Sequence, residues 1–241
     1  MINKINFSNL INSVSYWLCF QEKIGRKFMI NESSLKYPIA DFFTNKHFLI
    51  ENIDLEFTHP LLKKRSIDIV IKENKKLSIV FEMKIASYST TLLKEKKRIF
   101  NDLMRLYLLS NSSVETYFLI SGSYEDFIAF FRSIENRKEL RADVDLNDDV
   151  KSPSGFYTKW FSFKKESEMI INIKDEVDSE YRKVYENFFK EYDFKKSITL
   201  SKSLPEKIIT QCIDISPLSK DSPLPYLTGI WKICNPDNPD L

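Results

Sequence analysis

Arg65-Ser-Ile-Asp-Ile-Val-Ile71, a polar turn over Lys72 to Lys76, and Leu77-Ser-Ile-Val-Phe-Glu-Met-Lys84 are two apolar runs that each carry charge where a core strand ordinarily carries none. Side chains alternate across a strand, which puts Ile67, Ile69 and Ile71 on one face of the first run and Asp68 on the other. In the second run Leu77, Ile79, Phe81 and Met83 share a face, and Glu82 and Lys84 point the other way, about 6 to 7 Å apart along the strand. Paired as a hairpin, the two runs bring two carboxylates and an ammonium together beside the sheet. Burying such groups without partners or a metal costs on the order of several kcal/mol, so their presence calls for a reason, and a divalent-metal site is the most economical one.

An acid-x-Lys triplet by itself says little in a chain this charged. Glu73-x-Lys75, Glu95-x-Lys97, Asp149-x-Lys151 and Asp193-x-Lys195 fall in polar turns or on helix surfaces, where solvated charge explains them. Glu82-x-Lys84 differs because it ends an apolar strand preceded by another strand with an inward acid.

A chain of 241 residues is long enough for one substantial α/β domain. The reading is a single domain over 1–241, with its core at about 30–140 and an α+β elaboration at about 150–235. Aromatics make up 14% of the residues, which argues against disorder, and with 4 glycines there is no glycine-rich loop to cradle a nucleotide. The formal net charge of +2 gives no global field, so affinity for nucleic acid would have to come from local basic patches. Cys19, Cys212 and Cys234 are odd in number and widely spaced, fitting buried thiols in a reducing compartment. With only His47 and His59, a Cys/His zinc site is not indicated. No apolar run is long enough for a signal peptide or membrane span, so the expectation is a cytoplasmic protein without a membrane partner.

The elements follow in a definite order. Apolar spacing predicts a helix from Asn6 to about Lys27, with Phe7, Leu10, Ile11, Val14, Trp17, Leu18 and Ile24 as its stripe. Asn31 reads as the N-cap of a second helix to about Asn45, with Pro38 delaying its start or bending it. A strand over Phe48 to Thr58 precedes the charged pair. A helix over Ser89 to Ser110 then buries Ile99, Phe100, Leu103, Leu106 and Tyr107. Glu115 to Ser121 is a strand ending at Gly122, and Tyr124 to about Leu140 a helix. The three strands form a meander, and the helical crossover after Lys84 implies a parallel return near Tyr117, giving a mixed sheet flanked by helices. Arg141 to Ser154 reads as an exposed loop. Strands around Phe156 to Phe163, Met169 to Ile173, Ile208 to Ile215 and Leu227 to Ile233, a helix near Asp178 to Tyr192, and a frayed tail from Asn235 complete the chain.

Ser66-Ile-Asp-Ile-Val-Ile71 and Ile79-Val-Phe-Glu-Met-Lys84, with the helix carrying Asn101-Asp-Leu-Met-Arg-Leu106, resemble the PD-(D/E)xK nuclease superfamily over roughly residues 30 to 122. Ile67 stands where the name-giving proline would be. The resemblance implies a restriction-endonuclease-like α/β core in which Asp68 and Glu82 hold Mg2+ or Mn2+ and Lys84 assists a water nucleophile. It also implies DNA as partner and leaves homodimerisation open, no interface being legible. The chemistry suits these residue types: Mg2+ is commonly held by one or two carboxylates plus substrate phosphate oxygens, and an ammonium can orient water and offset charge on phosphorus. The plainer reading of Lys84 is an ion pair with Glu82 or Asp68.

Members of the superfamily often add a carboxylate from the first core helix. Glu32 is the candidate, although a Glu in a first helical turn also simply favours the positive end of the dipole. Glu22 is a lesser alternative, and Glu56 could reach the same region if its pleat matches but reads better as a solvent-facing edge residue. Lys94, Lys96, Lys97 and Arg98 follow the charged strand closely enough to track a nucleic-acid backbone, against a default of surface solubility. Arg98, Asp102 and Arg105 recur at helical spacing on the side opposite the apolar stripe, as a solvated face or as a row of phosphate contacts. Tyr88 reads as packing or as a base-stacking residue. The expected activity is metal-dependent phosphodiester hydrolysis; a noncatalytic nucleic-acid-binding or assembly subunit on the same fold, or a protein-interaction module with ordinary salt bridges, are the alternatives.

Overall fold

The structure is a computed structural model that describes residues 5–86, 92–131, 160–173, 206–216 and 225–235. The first helix, α1 (Phe7–Lys23), is capped by Asn6, whose side chain accepts from the Asn9 N–H, and buries Leu10, Ile11, Val14 and Leu18. Ile24 lies past the helix end and is exposed, because the chain turns away there towards Gly25 at φ 77°. Asn31 caps a 3-10 turn, Glu32–Leu35, through a reciprocal capping box with Ser34, and α2 (Lys36–Asn45) continues directly from it. Pro38 falls in the first turn of α2, where its missing N–H removes no intrahelical bond.

The meander follows: β1 (Ile53–Thr58), β2 (Ser66–Glu73) and β3 (Lys76–Ile85), each antiparallel to the next. The strand expected from Phe48 starts only at Ile53, since Ile50–Asn52 form a 3-10 turn that delivers the chain to the sheet edge. The crossover helix α3 (Leu92–Tyr107) leads to β4 (Glu115–Ser123), which lies parallel to β3 with Glu82 beside Phe118 and Lys84 beside Ile120. Next come α4 (Tyr124–Phe131), β5 (Glu168–Asn172), β6 (Lys207–Ile215) and β7 (Tyr226–Cys234). Among the described residues the sheet has seven strands in the order β1-β2-β3-β4-β7-β6-β5, all neighbours antiparallel except β3 and β4.

Two cores sandwich the sheet. On one side α1 and α2 pack Leu10, Val14, Ile39 and Phe43 against Ile69, Ile71, Ile79, Phe81 and Leu119. On the other, α3 and α4 pack Ile99, Phe100, Leu103 and Phe127 against Val70, Val80, Phe118 and Trp231. Ile67 departs from the expected sharing of a face with Ile69 and Ile71: it packs into the α3 and α4 side with Leu62. The β1–β2 ladder skips the Glu56–Asp68 position, where Glu56 takes a left-handed φ of 51°, and strict alternation fails at that distortion.

Trp160 to Phe163 are not a strand; they lie over Trp231 as irregular chain, with Trp231 Nε1 donating to Ser162 O at 2.7 Å and the Phe161 ring 5.0 Å from the indole. The loop expected at Arg141 to Ser154, the helix expected near Asp178 to Tyr192, residues 156–159, the later part of the helix from Tyr124 and the tail after Asn235 lie outside the described residues. No helix among the described residues is long and apolar enough to cross a membrane.

Candidate functional site

The β2–β3 ladder runs up to the pair Ile69 and Phe81 and stops there. One position further the strands part, with Asp68 and Glu82 facing each other across the gap, and the Met83 N–H donates to Asp68 Oδ2 at 2.9 Å instead of to a strand carbonyl. The backbone donor released by the parting is thereby satisfied by a carboxylate. Val80, Phe118 and Ile120 belong to the α3 side, and Glu82 and Lys84 share their parity, so both enter the sheet's end beneath α3. The 3-10 turn at Glu32 packs on β3 from the other layer and closes the site.

Glu82 is fully enclosed and Arg105, from α3, brings Nε to 2.7 Å from its Oε1. The approach is off the N–H direction, so Oε1 has an ion-pair partner but no well-formed hydrogen bond. Arg105 also donates through Nη2 to Asp102 Oδ1. Lys84 Nζ sits between two acids, 3.3 Å from Glu32 Oε1 and 3.4 Å from Asp102 Oδ2. Lys36, at the start of α2, pairs with Glu56 and stands 3.4 Å from Asp68 Oδ1. Ser66 Oγ donates to Glu56 Oε2 at 2.9 Å.

Burial pushes the Glu82 carboxyl well above the usual carboxylate range; Arg105 opposes this, while Asp102 and Asp68 add to it. Asp102 is raised for the same reason, burial outweighing the attraction of Arg105 and Lys84. Burial works against the Lys36 ammonium, yet Glu56 and Asp68 hold its pKa above the ordinary value. Among the described residues the cluster counts five carboxylates (Glu32, Glu56, Asp68, Glu82, Asp102) and three cations (Lys36, Lys84, Arg105), a formal excess of two negative charges. No three His, Cys, Asp or Glu side chains among the described residues already stand as a cage for an ion.

Asp68, Glu82, Lys84 and Glu32 are therefore brought into one cluster. Of the basic residues, Arg105 turns inward to Glu82 and Asp102, and Asp102 is buried, so these two are not a solvated helix face. Asp102 lies in line with Ile99 and Leu106, three residues before and four after, which puts it inside the apolar stripe of α3. Arg98 is exposed and Lys97 half-buried; the side chains of Lys94 and Lys96, and Tyr88 altogether, lie outside the described residues. Glu22 pairs with Lys27 at 2.8 Å and takes no part.

Lys36, Asp102 and the inward course of Arg105 were not anticipated. The signal existed for the first two: Lys36 precedes Ile39 by three and Phe43 by seven, so like Asp102 it is a charge in an apolar row. Glu56, expected at a solvent-facing edge, is the more exposed partner of buried Lys36, whose hydrogen bond holds the carboxyl below its usual range. Comparison of the chain with protein-family models, with curated proteins and with solved structures gave no match.

Proposed function

We propose that this chain is a Mg2+- or Mn2+-dependent nuclease on a restriction-endonuclease-like core, hydrolysing phosphodiester bonds of DNA at the parted end of β2 and β3. The observation that carries the reading is the meeting of Asp68 and Glu82 across that gap, with a buried ammonium, Lys84, held beside them between Glu32 and Asp102. The donor set fits the ion: hard carboxylate oxygens on two adjacent strands, of which Glu82's lie where burial disfavours their charge unless a cation joins them. Asp68 and Glu82 would hold it, and when bound it supplies Lewis-acid polarisation of a phosphate and a more acidic water.

The chain's own residues divide the remaining work. Glu32 and Asp102 hold the Lys84 ammonium between them, fixing the direction from which it can orient water and offset charge on a phosphate oxygen. Arg105 pairs with both Glu82 and Asp102 and offsets part of their charge in the ion's absence. The Met83 N–H keeps one oxygen of Asp68 directed along β3.

The test is cleavage of supercoiled plasmid, linear duplex, single-stranded DNA and RNA with Mg2+ or Mn2+ by wild type, Asp68→Ala and Lys84→Ala. Wild type is expected to cut at least one substrate, and both variants to lose activity by orders of magnitude while circular dichroism shows them folded. Binding of nucleic acid without cleavage by wild type would leave the noncatalytic subunit as the better reading; equal cleavage by all three proteins would remove the site from the chemistry.

A further inference from the structure

The loop joining β1 to β2 carries three successive basic residues, Lys63, Lys64 and Arg65, the two lysines exposed and Arg65 half-buried. It is a built loop. The His59 N–H donates to Arg65 O at 2.8 Å and closes its neck. The His59 ring is fully buried, with Nδ1 accepting the N–H groups of Leu61 and Leu62, both at 3.1 Å. A ring nitrogen that accepts twice carries no proton, so the proton is on Nε2, which donates to Arg105 O at 3.2 Å. Leu62 is buried in the α3-side core, and Lys64 takes a left-handed φ of 55° that turns the chain outward.

Both ends of the loop are tied to the charged cluster. Arg105, whose carbonyl receives His59, is the residue whose guanidinium pairs with Glu82 and Asp102. At the other end Ser66 hydrogen bonds Glu56, which pairs with Lys36, which faces Asp68. Arg65 precedes Asp68 by three residues, about 10 Å along a strand. A single nucleic-acid strand rises about 3.4 Å per nucleotide in a duplex, so this separation is about three nucleotides.

We propose that Lys63, Lys64 and Arg65 form a phosphate-backbone clamp that grips a nucleic-acid strand about three nucleotides from the bond presented at Asp68 and Glu82. The proposal rests on the nuclease reading for its substrate and adds where that substrate is held. A polynucleotide is favoured over an anionic membrane because the loop exposes no large apolar side chain to enter a bilayer, Leu62 being buried and Leu61 partly so. The adjoining acidic cluster would repel a broad anionic surface laid over both regions, whereas a single phosphate strand can meet the loop alone and reach the cluster only when a cation sits there. Phosphate contacts of this kind fix register and carry no base recognition.

The test is binding of a fluorescent 20-base-pair duplex and its single strand to the full chain in EDTA, from 50 to 200 mM salt, by anisotropy. The variants are Lys63→Ala/Lys64→Ala/Arg65→Ala and, as a control at the far end of β2, Lys75→Ala/Lys76→Ala, each checked by thermal melting. The triple variant is expected to bind about tenfold or more weakly, with the slope of log K against log salt for duplex smaller by about 2 to 3, at about 0.9 for each phosphate that is no longer neutralised. The control should match wild type. Unchanged affinity and slope in the triple variant, an equal loss in the control, or loop-dependent binding to phosphatidylserine vesicles with no binding to either nucleic acid would overturn the clamp. Because EDTA removes catalysis, wild type that binds through the loop yet cuts nothing would sink the nuclease and leave the clamp, and wild type that cuts with binding indifferent to the loop would do the reverse.

Discussion

Replacing Arg105 by Met should make the folded protein dependent on divalent cation. The guanidinium is the main attractive influence on Glu82 and on Asp102, both enclosed, and its loss removes the cation that pairs with both. Removing one partner of a buried ion pair costs about 3–5 kcal/mol. Arg105 keeps 16% of its side chain exposed, so the lower end, about 3 kcal/mol, applies. At about 2–4 °C per kcal/mol for a chain of this length, the melting temperature in EDTA should fall by about 6–12 °C. A cation that binds only the folded state returns about 2.7 kcal/mol at a hundredfold excess over its Kd, so Mg2+ or Mn2+ should recover most of the loss and raise the variant's melting point by more than wild type's. The penalty should also depend on pH. Glu82 in the fold binds its proton more tightly than in the unfolded chain, and Arg105→Met tightens it further. The cost is therefore absent below the unfolded value of 4.5 and grows as pH rises through the folded-state value. Differential scanning fluorimetry with EDTA, Ca2+, Mg2+ and Mn2+ from pH 4 to 8 reads all of this. A variant melting within 2 °C of wild type in EDTA at pH 7.5, or responding to cations no more than wild type does, would refute the account of Arg105 as the cluster's stand-in for an ion.

Two further outcomes follow from the packing. A Cβ at Gly229 would stand 2.4 Å from Trp231 Cη2, inside contact distance of a ring already held by Phe161 and Ser162; Gly229→Ala should cost about 1–3 kcal/mol by overpacking, read as a lower urea midpoint with a shifted tryptophan emission. Burial, aided by Asp214, pushes the Cys212 thiol up to about 12, so at pH 8 it should resist iodoacetamide in the native protein and react fully in urea, as peptide mass mapping would show; native labelling at the unfolded rate would contradict its burial.

The sheet was legible because its determinants are local. The alternation around Ile69 and Ile79, the helical stripe of Ile99, Leu103 and Leu106, and the long crossover before Tyr117 were enough for a meander followed by a parallel strand. Alternation put Asp68 and Glu82 beside the same end of the hairpin, but counting back from the Glu73–Lys76 pair would set Asp68 opposite Phe81; the register shift between Ile71 and Lys72 is what brings it to Glu82. What escaped was charge inside apolar rows. Lys36 and Asp102 pass for surface residues because most charged residues are surface, and their burial depends on partners 20 and 18 residues away in sequence, Glu56 and Lys84. Periodicity reports which way a side chain points; it does not report who waits there. The β1–β2 loop escaped for a related reason: its rigidity comes from one buried imidazole reaching a carbonyl 46 residues further on.

β7 follows every other described strand along the chain, yet it lies between β4 and β6, and α1 bonds to it through Ser15 and Thr228. Until residues 226–234 slot into place, β4 presents an unsatisfied row of amides and carbonyls, open to pairing with a neighbouring molecule during biosynthesis. Shortening the chain from its carboxyl side past Tyr226 would therefore unzip the middle of the sheet rather than trim its border, and would yield insoluble material where loss of β5 alone would shave only a rim.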